Sequence, residues 1–317
     1  MFKLSRKLFA PMLAAAALTV SALPSASAAT LQLVSSFGSN PGNLTMYKYV
    51  PASMPSNAPV VVLLHGCGQT AASYDDESGW VKFADQYKFY LVFAQQSTLN
   101  NGGRCFNWFY STDHSRGYGE ALSIKQMVDK IKATHSVNAG KVYVSGLSGG
   151  GAMTAVMLAA YPDVFAGGAI MAGVPYKCAT TLIGGTNCMS GYDNKTPQQW
   201  GDLARSGYSG YGGTKPLVAI FHGASDNTVK PMNLTELMEQ WTNYHGISQT
   251  PTTSDTIGGY PRKIYGGKVM TVSITGMGHG TALDPGTGAA QCGVTASYML
   301  DVNLCSTYYA AKFWGLF

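Results

Sequence analysis

The chain has 317 residues, 46% of them hydrophobic, which is enough for a sizeable buried core and excludes both a disordered tail and a small scaffold held only by disulfides. Only 12% are charged, about half the usual quarter, so Ser, Thr, Asn, Gln, Tyr and Gly must cover much of the surface. The formal charge of +5 shrinks once Lys3, Arg6 and Lys7 are set apart as part of a targeting segment: 18 basic side chains then face 16 acidic ones, and nucleic-acid binding has no support.

Residues 1–28 have the layout of a secretory signal peptide: a basic start, an apolar run from about Leu8 to Val20, and the small residues Ala26-Ser27-Ala28. Cleavage after Ala28 would start the mature chain at Ala29. The run is too short for the ~20 residues of a spanning helix, and Pro11 interrupts it. The expectation is an extracellular or periplasmic protein with no membrane span. Six cysteines, 67, 105, 178, 188, 292 and 305, agree with an oxidising compartment. No C-x-x-C occurs, which argues against a zinc ribbon or a thioredoxin-like site. Short loops favour Cys178–Cys188 and Cys292–Cys305, which leaves Cys67–Cys105.

Along the mature chain, short apolar runs alternate with helical patterns, the signature of a mainly parallel α/β sheet flanked by helices. Strands are predicted at Val60–Leu64, Phe89–Ala94, Lys141–Ser145, Ala166–Ala172, Pro216–His222 and Val269–Thr275. Helices are predicted over about 78–88, along the face of Ala121, Ile124, Val128 and Ile131, and over Ala152–Ala160, where Tyr161-Pro162 ends the run. Residues 174–215 have little periodicity and read as an insertion over one edge of the sheet, part of a lid. Residues 280–305 also read as loop. Neither a repeat nor a Pro/Thr-rich linker is visible, so 29–317 reads as one domain without an appended binding module, and a monomer is the default expectation.

Gly146-Leu147-Ser148-Gly149-Gly150 matches G-x-S-x-G. The match alone is weak, since about 0.4 such matches arise by chance in a chain this rich in Gly and Ser. Its context sharpens it: an apolar strand precedes it and a helix follows, as a nucleophile elbow requires. A serine nucleophile needs a base. His279, in Gly276-Met277-Gly278-His279-Gly280, follows the strand Val269–Thr275, and Asp226 follows the strand ending at His222. The order Ser148, Asp226, His279 is that of α/β-hydrolases. Ser148 is thus the candidate nucleophile, His279 the base and then acid, and Asp226 the group that orients the imidazole. His222 reads as shaping the acid's loop, and His114, His135 and His245 as surface residues. The oxyanion donors are expected to be the N–H groups of Gly149 and of Cys67 in His65-Gly66-Cys67-Gly68. A disulfide at Cys67 would brace that loop. Trp108, in Asn107-Trp108-Phe109, and Tyr176 are candidate substrate contacts; Trp80, Trp241 and Trp314 read as packing. No histidine cluster suggests a metal, and no cofactor is implied.

With those residues in view, the chain resembles the extracellular poly(3-hydroxybutyrate) depolymerase group of esterases, relatives of feruloyl and acetylxylan esterases. The resemblance rests on Leu63-Leu64-His65-Gly66-Cys67-Gly68-Gln69, Cys105-Phe106-Asn107-Trp108-Phe109, Arg116-Gly117-Tyr118-Gly119-Glu120-Ala121 and the stretch Val144 through Met157. It continues through Tyr161-Pro162-Asp163-Val164-Phe165-Ala166, Ala172-Gly173-Val174-Pro175-Tyr176, His222-Gly223 with Asp226, Gly276 through Gly280, and Phe313-Trp314-Gly315-Leu316. It covers most of the mature chain, in order. It implies serine hydrolysis of hydroxyalkanoate esters, with a polyester or its oligomers as substrate. Gly149 stands where the family usually has Ala, and Gly280-Thr281-Ala282 follows His279 where many esterase relatives have Ala-Trp-Pro. The alternative is a feruloyl or acetylxylan esterase acting on polysaccharide side chains, with the same acyl-enzyme chemistry. A non-catalytic binding protein on this fold would not need an intact Ser148, Asp226 and His279, and a long-chain lipase would need a long apolar lid helix.

Overall fold

The computed structural model describes residues 1–2 and 30–317. Beyond its first two residues, the predicted leader lies outside the described residues. From residue 30 the chain forms β1 (Gln32–Val34), β2 (Thr45–Tyr49), β3 (Ala58–Leu64), α1 (Trp80–Tyr87), β4 (Tyr90–Gln95), α2 (Ser111–His114), α3 (Gly119–Thr134), β5 (Val137–Leu147) and α4 (Gly149–Ala160). It continues through β6 (Gly167–Met171), α5 (Leu182–Met189), α6 (Pro197–Arg205), β7 (Leu217–Gly223), α7 (Met232–His245), β8 (Thr253–Ile257), β9 (Tyr260–Tyr265), β10 (Val269–Ile274), β11 (Thr281–Leu283), β12 (Met299–Asp301) and α8 (Ser306–Trp314).

Ten strands make one sheet in the order β1-β2-β4-β3-β5-β6-β7-β10-β9-β8. The central run β4-β3-β5-β6-β7-β10 is parallel throughout. Antiparallel pairs close both edges. The central strands are apolar on both faces because both faces are covered. Val60, Val62 and Leu64 of β3 pack with α3, α4 and α7 on one side; Val61 and Leu63 pack with α1 and α8 on the other. After β3 the chain steps to β4 on one side and then returns to β5 on the other. The strand order thus reverses around β3, and the loops after β3 and β5 diverge there, where open α/β sheets place their ligands.

The six predicted strands are all present within a few residues of their expected ends. Residues 174–215 are more ordered than their pattern suggested. Helix α5 is Leu-Ile-Gly-Gly-Thr-Asn-Cys-Met, too glycine-rich to show a period, and is capped by the Thr181 side chain, which accepts from Gly184 N–H. Helix α6 starts on a capping box between Thr196 and Gln199, with Pro197 in its first turn. Residues 280–305 hold a small two-stranded parallel pairing of β11 with β12.

Trp314 fixes α8 to the sheet. Its ring stacks on Tyr143 of β5 at 4.8 Å and on Trp80 of α1 at 5.7 Å between centroids. A Cβ at Gly167 would meet that indole at 3.0 Å, so the sheet leaves the space as glycine. Replacing the ring empties a slot between three elements. Trp314→Ala is expected to cost about 3–5 kcal/mol of unfolding free energy, read from urea denaturation; a loss below 1 kcal/mol would mean that the end of α8 is not part of the core.

Candidate active site

Ser148 joins β5 to α4 with φ 56° and ψ −117°, a backbone conformation that L residues rarely adopt. Its N–H donates to the Met171 carbonyl and its carbonyl accepts from Ala152 N–H, at 2.9 and 2.8 Å. The turn needs glycine on both sides. A Cβ at Gly146 would lie 2.3 Å from the Gly150 carbonyl oxygen, and one at Gly150 would lie 2.1 Å from that of Leu64. Gly149 opens α4, so its N–H has no acceptor within the helix and points out of the positive end of the helix dipole.

The loop after β3 lies against this turn. A Cβ on Gly149 would approach Cys67 Sγ to 3.0 Å. Within the loop, Gly66 N–H donates to Gln69 Oε1, Gln69 N–H to the Gly66 carbonyl, and Gly68 N–H to the Gly103 carbonyl. Cys67 is joined to Cys105, Cys178 to Cys188 and Cys292 to Cys305. Beneath the loop, His65 is buried, and burial lowers its pKa from 6.5 to about 4. Its Nε2 accepts from Gln96 N–H at 3.1 Å, which fixes the neutral form with the proton on Nδ1, 2.7 Å from the Gly66 carbonyl.

A second buried group supports the neighbouring loop. Glu120 is fully buried. It accepts from Asn107 N–H at 2.7 Å, Asn107 Nδ2 at 2.8 Å, Gln96 Nε2 at 2.5 Å and Asn100 Nδ2 at 3.2 Å. Burial pushes its carboxyl up to about 8, against the pull of these donors. Through Asn107 it anchors the segment from Cys105 to Phe109. The sequence reading assigned Glu120 no role, since a single acid at the start of a helix reads as an ordinary charge favoured by the dipole.

Asp226 and His279 come from the loops after β7 and β10. These loops touch where Gly223 has no side chain: a Cβ there would fall 2.4 Å from the Met277 and Gly278 carbonyl oxygens. His279 Nδ1 lies 2.7 Å from Asp226 Oδ2, with Asp226 buried. Asp226 Oδ1 accepts from Thr228 and Val229 N–H at 2.8 and 2.9 Å. Burial would raise the Asp226 carboxyl, but the His279 contact and the two backbone N–H groups outweigh it and hold the acid below its usual range. The carboxylate therefore accepts a hydrogen bond from His279 Nδ1–H, and in that tautomer Nε2 carries the free lone pair of the ring. His222 lies beside this pair. It is buried and kept neutral, and its Nε2 donates to the Val229 carbonyl at 2.8 Å.

Ser148, Gly149, Cys67 and His279 border one cavity of about 310 Å³. The rest of its wall is mostly apolar: Trp108, Phe109, Leu147, Val174, Leu182 and Met189 among others. Helix α5 forms one side. Gly185 lets it lie on the aromatic pair, since a Cβ there would meet the Trp108 ring at 3.2 Å. Trp108, an expected substrate contact, lines this cavity. Tyr176 does not, and the role expected for it is corrected. It is 1% exposed, its hydroxyl donates to the His114 carbonyl at 3.2 Å, and it belongs to the core beside the cavity. His114 is likewise buried, with Nδ1 donating to the Trp108 carbonyl at 3.0 Å. The sequence reading missed Tyr298, whose ring stands edge-on to His279 at 5.9 Å on the cavity rim. Cys178, Cys188 and Asp193 lie close enough together to hold a metal ion, but the disulfide leaves no thiolate there. Among the described residues, no helix is long and apolar enough to cross a membrane.

The mostly parallel sheet, with a strained serine at the β5–α4 turn, defines a protein of the α/β-hydrolase type. Residues 44–259 match the family model for esterase PHB depolymerase. The chain is 58% identical over 306 residues to poly(3-hydroxyalkanoate) depolymerase C of Paucimonas lemoignei, covering 95% of this chain and 74% of that one. It is 36% identical over 267 residues to feruloyl esterase B of Talaromyces funiculosus, covering 81% and 75%. Its fold superposes on the acetyl xylan esterase of Aspergillus awamori with a TM-score of 0.79 at 28% identity, covering 91% of this chain and 100% of that one. The chain belongs to the esterase PHB depolymerase family and is a carboxylic ester hydrolase.

The buried neutral His65 makes this region sensitive to acid. A histidine whose folded pKa is depressed contributes stability that is fully present above its unfolded pKa of 6.5 and is lost as pH falls towards about 4. His65→Leu cannot titrate. At pH 7 it should be less stable than the parent by about 1–3 kcal/mol, because Gln96 N–H loses its acceptor. That difference should shrink as pH falls from 6.5 to 4 in urea titrations; a constant difference would show that His65 is not held neutral.

Proposed function

We propose that this chain is a secreted serine esterase that hydrolyses poly(3-hydroxybutyrate)-type polyester, or its oligomers, through an acyl-enzyme. The observation that carries this reading is Ser148 and His279 on the wall of one apolar cavity, with His279 tied to buried Asp226. Ser148 Oγ attacks the ester carbonyl while His279 Nε2 takes its proton, and Asp226 stabilises the imidazolium that forms. The N–H groups of Gly149 and Cys67 receive the oxyanion. As the intermediate collapses, the acyl–oxygen bond breaks and His279 returns its proton to the leaving alkoxide. Water, activated by the same imidazole, then attacks the acyl-serine. The methyl-bearing hydroxybutyryl group occupies the cavity against Trp108.

The 58% identity to a polyhydroxyalkanoate depolymerase supports a polyester over the carbohydrate esters of the more distant relatives. Three disulfides and the leader over 1–28 support export. The catalytic domain is assigned to 29–317, working without metal or cofactor.

The test uses the mature protein and its Ser148→Ala variant on a suspension of amorphous polyhydroxybutyrate granules. Clearing and release of 3-hydroxybutyrate are expected from the parent, with a loss of about 10⁴- to 10⁶-fold in the variant. A parent that leaves the granules turbid and prefers feruloyl methyl ester to hydroxybutyrate oligomers would move the assignment to polysaccharide side chains. Clearing by Ser148→Ala would overturn the nucleophile.

A further inference from the structure

A second cavity of about 440 Å³ adjoins the first and shares Cys67, Gln69 and Tyr298 with it. Its character differs. Gln69, Ser73, Glu77 and Ser297 give it a wall with many hydrogen-bonding groups. Tyr298 stands between the two spaces.

Tyr298 is held there at a cost. Its φ is 64°, a conformation that a bulky residue adopts only when the surroundings enforce it. The enforcement is visible. Its carbonyl accepts from Thr281 N–H at 2.8 Å, and a Cβ on Gly280 would crowd that carbonyl at 2.7 Å. Ala296 and Met299 exchange hydrogen bonds around it, and Cys292–Cys305 closes the loop. The side chain gains little burial in return, because Tyr298 remains 50% exposed. A tyrosine kept strained and half in solvent, edge-on to His279, has no packing role that accounts for it. Gln69 spans the boundary as well, its Oε1 fixing Gly66 N–H in the Cys67 loop and its Nε2 3.5 Å from the Ser297 carbonyl.

The two halves of an ester must part at Ser148. The acyl substituent has the apolar cavity under α5. The alcohol half must lie where its oxygen can receive a proton from His279, and the side chain standing on that imidazole at the cavity rim is Tyr298. We propose that Tyr298 and the polar cavity behind it bind the alcohol half of the ester, so that a chain of hydroxyacyl esters runs from the apolar cavity over Ser148 and past Tyr298. The ligand class is a hydroxyacyl ester segment that starts at the scissile ester oxygen, which becomes its hydroxyl on cleavage, and runs through short methyl-branched carbons and ester carbonyls towards the carboxyl end of the chain. Its carbonyls have donors in the Gln69 amide and the Ser297 hydroxyl, and its methyl-bearing carbon lies against the tyrosine ring. This rests on the reading of Ser148 and His279 given above.

The test compares two substrates with one acyl group. Methyl 3-hydroxybutyrate leaves methanol, and the methyl ester of the hydroxybutyrate dimer, cut at its internal ester, leaves methyl 3-hydroxybutyrate. Tyr298→Ala is expected to lower kcat/KM for the internal ester about tenfold more than for the methyl ester, mainly through KM. Tyr298→Phe should keep most of the preference. The readout is the ratio of the two substrates, in which any common loss through folding or the triad cancels. An equal loss on both substrates would show that Tyr298 only steadies His279, and no loss on either would remove it from the binding path; both outcomes overturn the proposal. If the parent cuts neither hydroxybutyrate ester, the polyester assignment fails separately. The same comparison is then read on the acetate esters of methanol and of methyl 3-hydroxybutyrate, where the expected and overturning results are unchanged.

Discussion

The first turn of α4 lies so close to the end of β3 that Gly150 has no room for a single carbon beyond its backbone. The rest of the site depends on that approach. It brings the open N–H end of a twelve-residue, wholly buried helix beside the Cys67 loop, so donors from two strand ends can converge on one point. It also forces Ser148 into a conformation that costs free energy, which the packing of α4 against the sheet offsets. A looser turn would relieve the serine and lose the convergence. The pattern recurs at Gly223, where the bare backbone lets the Asp226 loop meet the His279 loop. Close backbone approach, not side-chain length, sets the reach of all three candidate catalytic groups.

This explains which parts were legible in the sequence. Steric demands that need glycine leave a local mark, and the Ser148 turn and the His65–Gly68 loop carry it. The central strands were legible because burial on both faces makes continuous apolar runs such as Ala58–Leu64. The edge strands were not: β8 is Thr-Ser-Asp-Thr-Ile, mostly exposed, and is a strand because β9 pairs with it. The capping box at Thr196 was available as a signal for α6 and was hidden by the irregular composition around it. Aromatic roles were the least legible. Tyr176 and Tyr298 both lie close to a cysteine in the chain, yet one is fixed in the core by the His114 carbonyl and the other is turned outward by a positive φ. Neither direction is written in the neighbouring residues.

The walls of the cavity are stapled where the sheet no longer supports them. Cys67–Cys105 joins the loop after β3 to the Trp108 segment, Cys178–Cys188 holds α5 to the chain that leads into it, and Cys292–Cys305 encloses the Tyr298 loop. All three bridges serve segments beyond the strand ends, and none links two strands of the ten-stranded sheet. Loops there cannot draw on strand pairing, and a surface with few charges offers few ion pairs to fix them. Covalent closure limits their freedom in the unfolded chain, and buried groups such as Glu120 and His65 fix their orientation in the folded one. The arrangement suits an oxidising compartment, since reduction would loosen the cavity walls while leaving the sheet and its hydrogen bonds in place.

Polyesters and polysaccharide esters make the same demand on a serine, a histidine and two N–H donors, so relatives of both kinds can share one framework. What must differ is the shape on either side of the scissile bond. In the proposed binding mode the acyl side is shaped by α5 and Trp108, which touch through the missing side chain of Gly185. A Cβ there would lie 3.2 Å from the Trp108 ring and 3.3 Å from Phe109, so the wall would have to give. In the same binding mode the alcohol side is shaped by the loop of Tyr298, which lies beyond residues 44–259 matched by the family model. Both walls are carried by segments outside the parallel sheet. Substrate choice can therefore change with α5 or with the Tyr298 loop while Ser148, Asp226 and His279 keep the backbone positions that the sheet imposes on them.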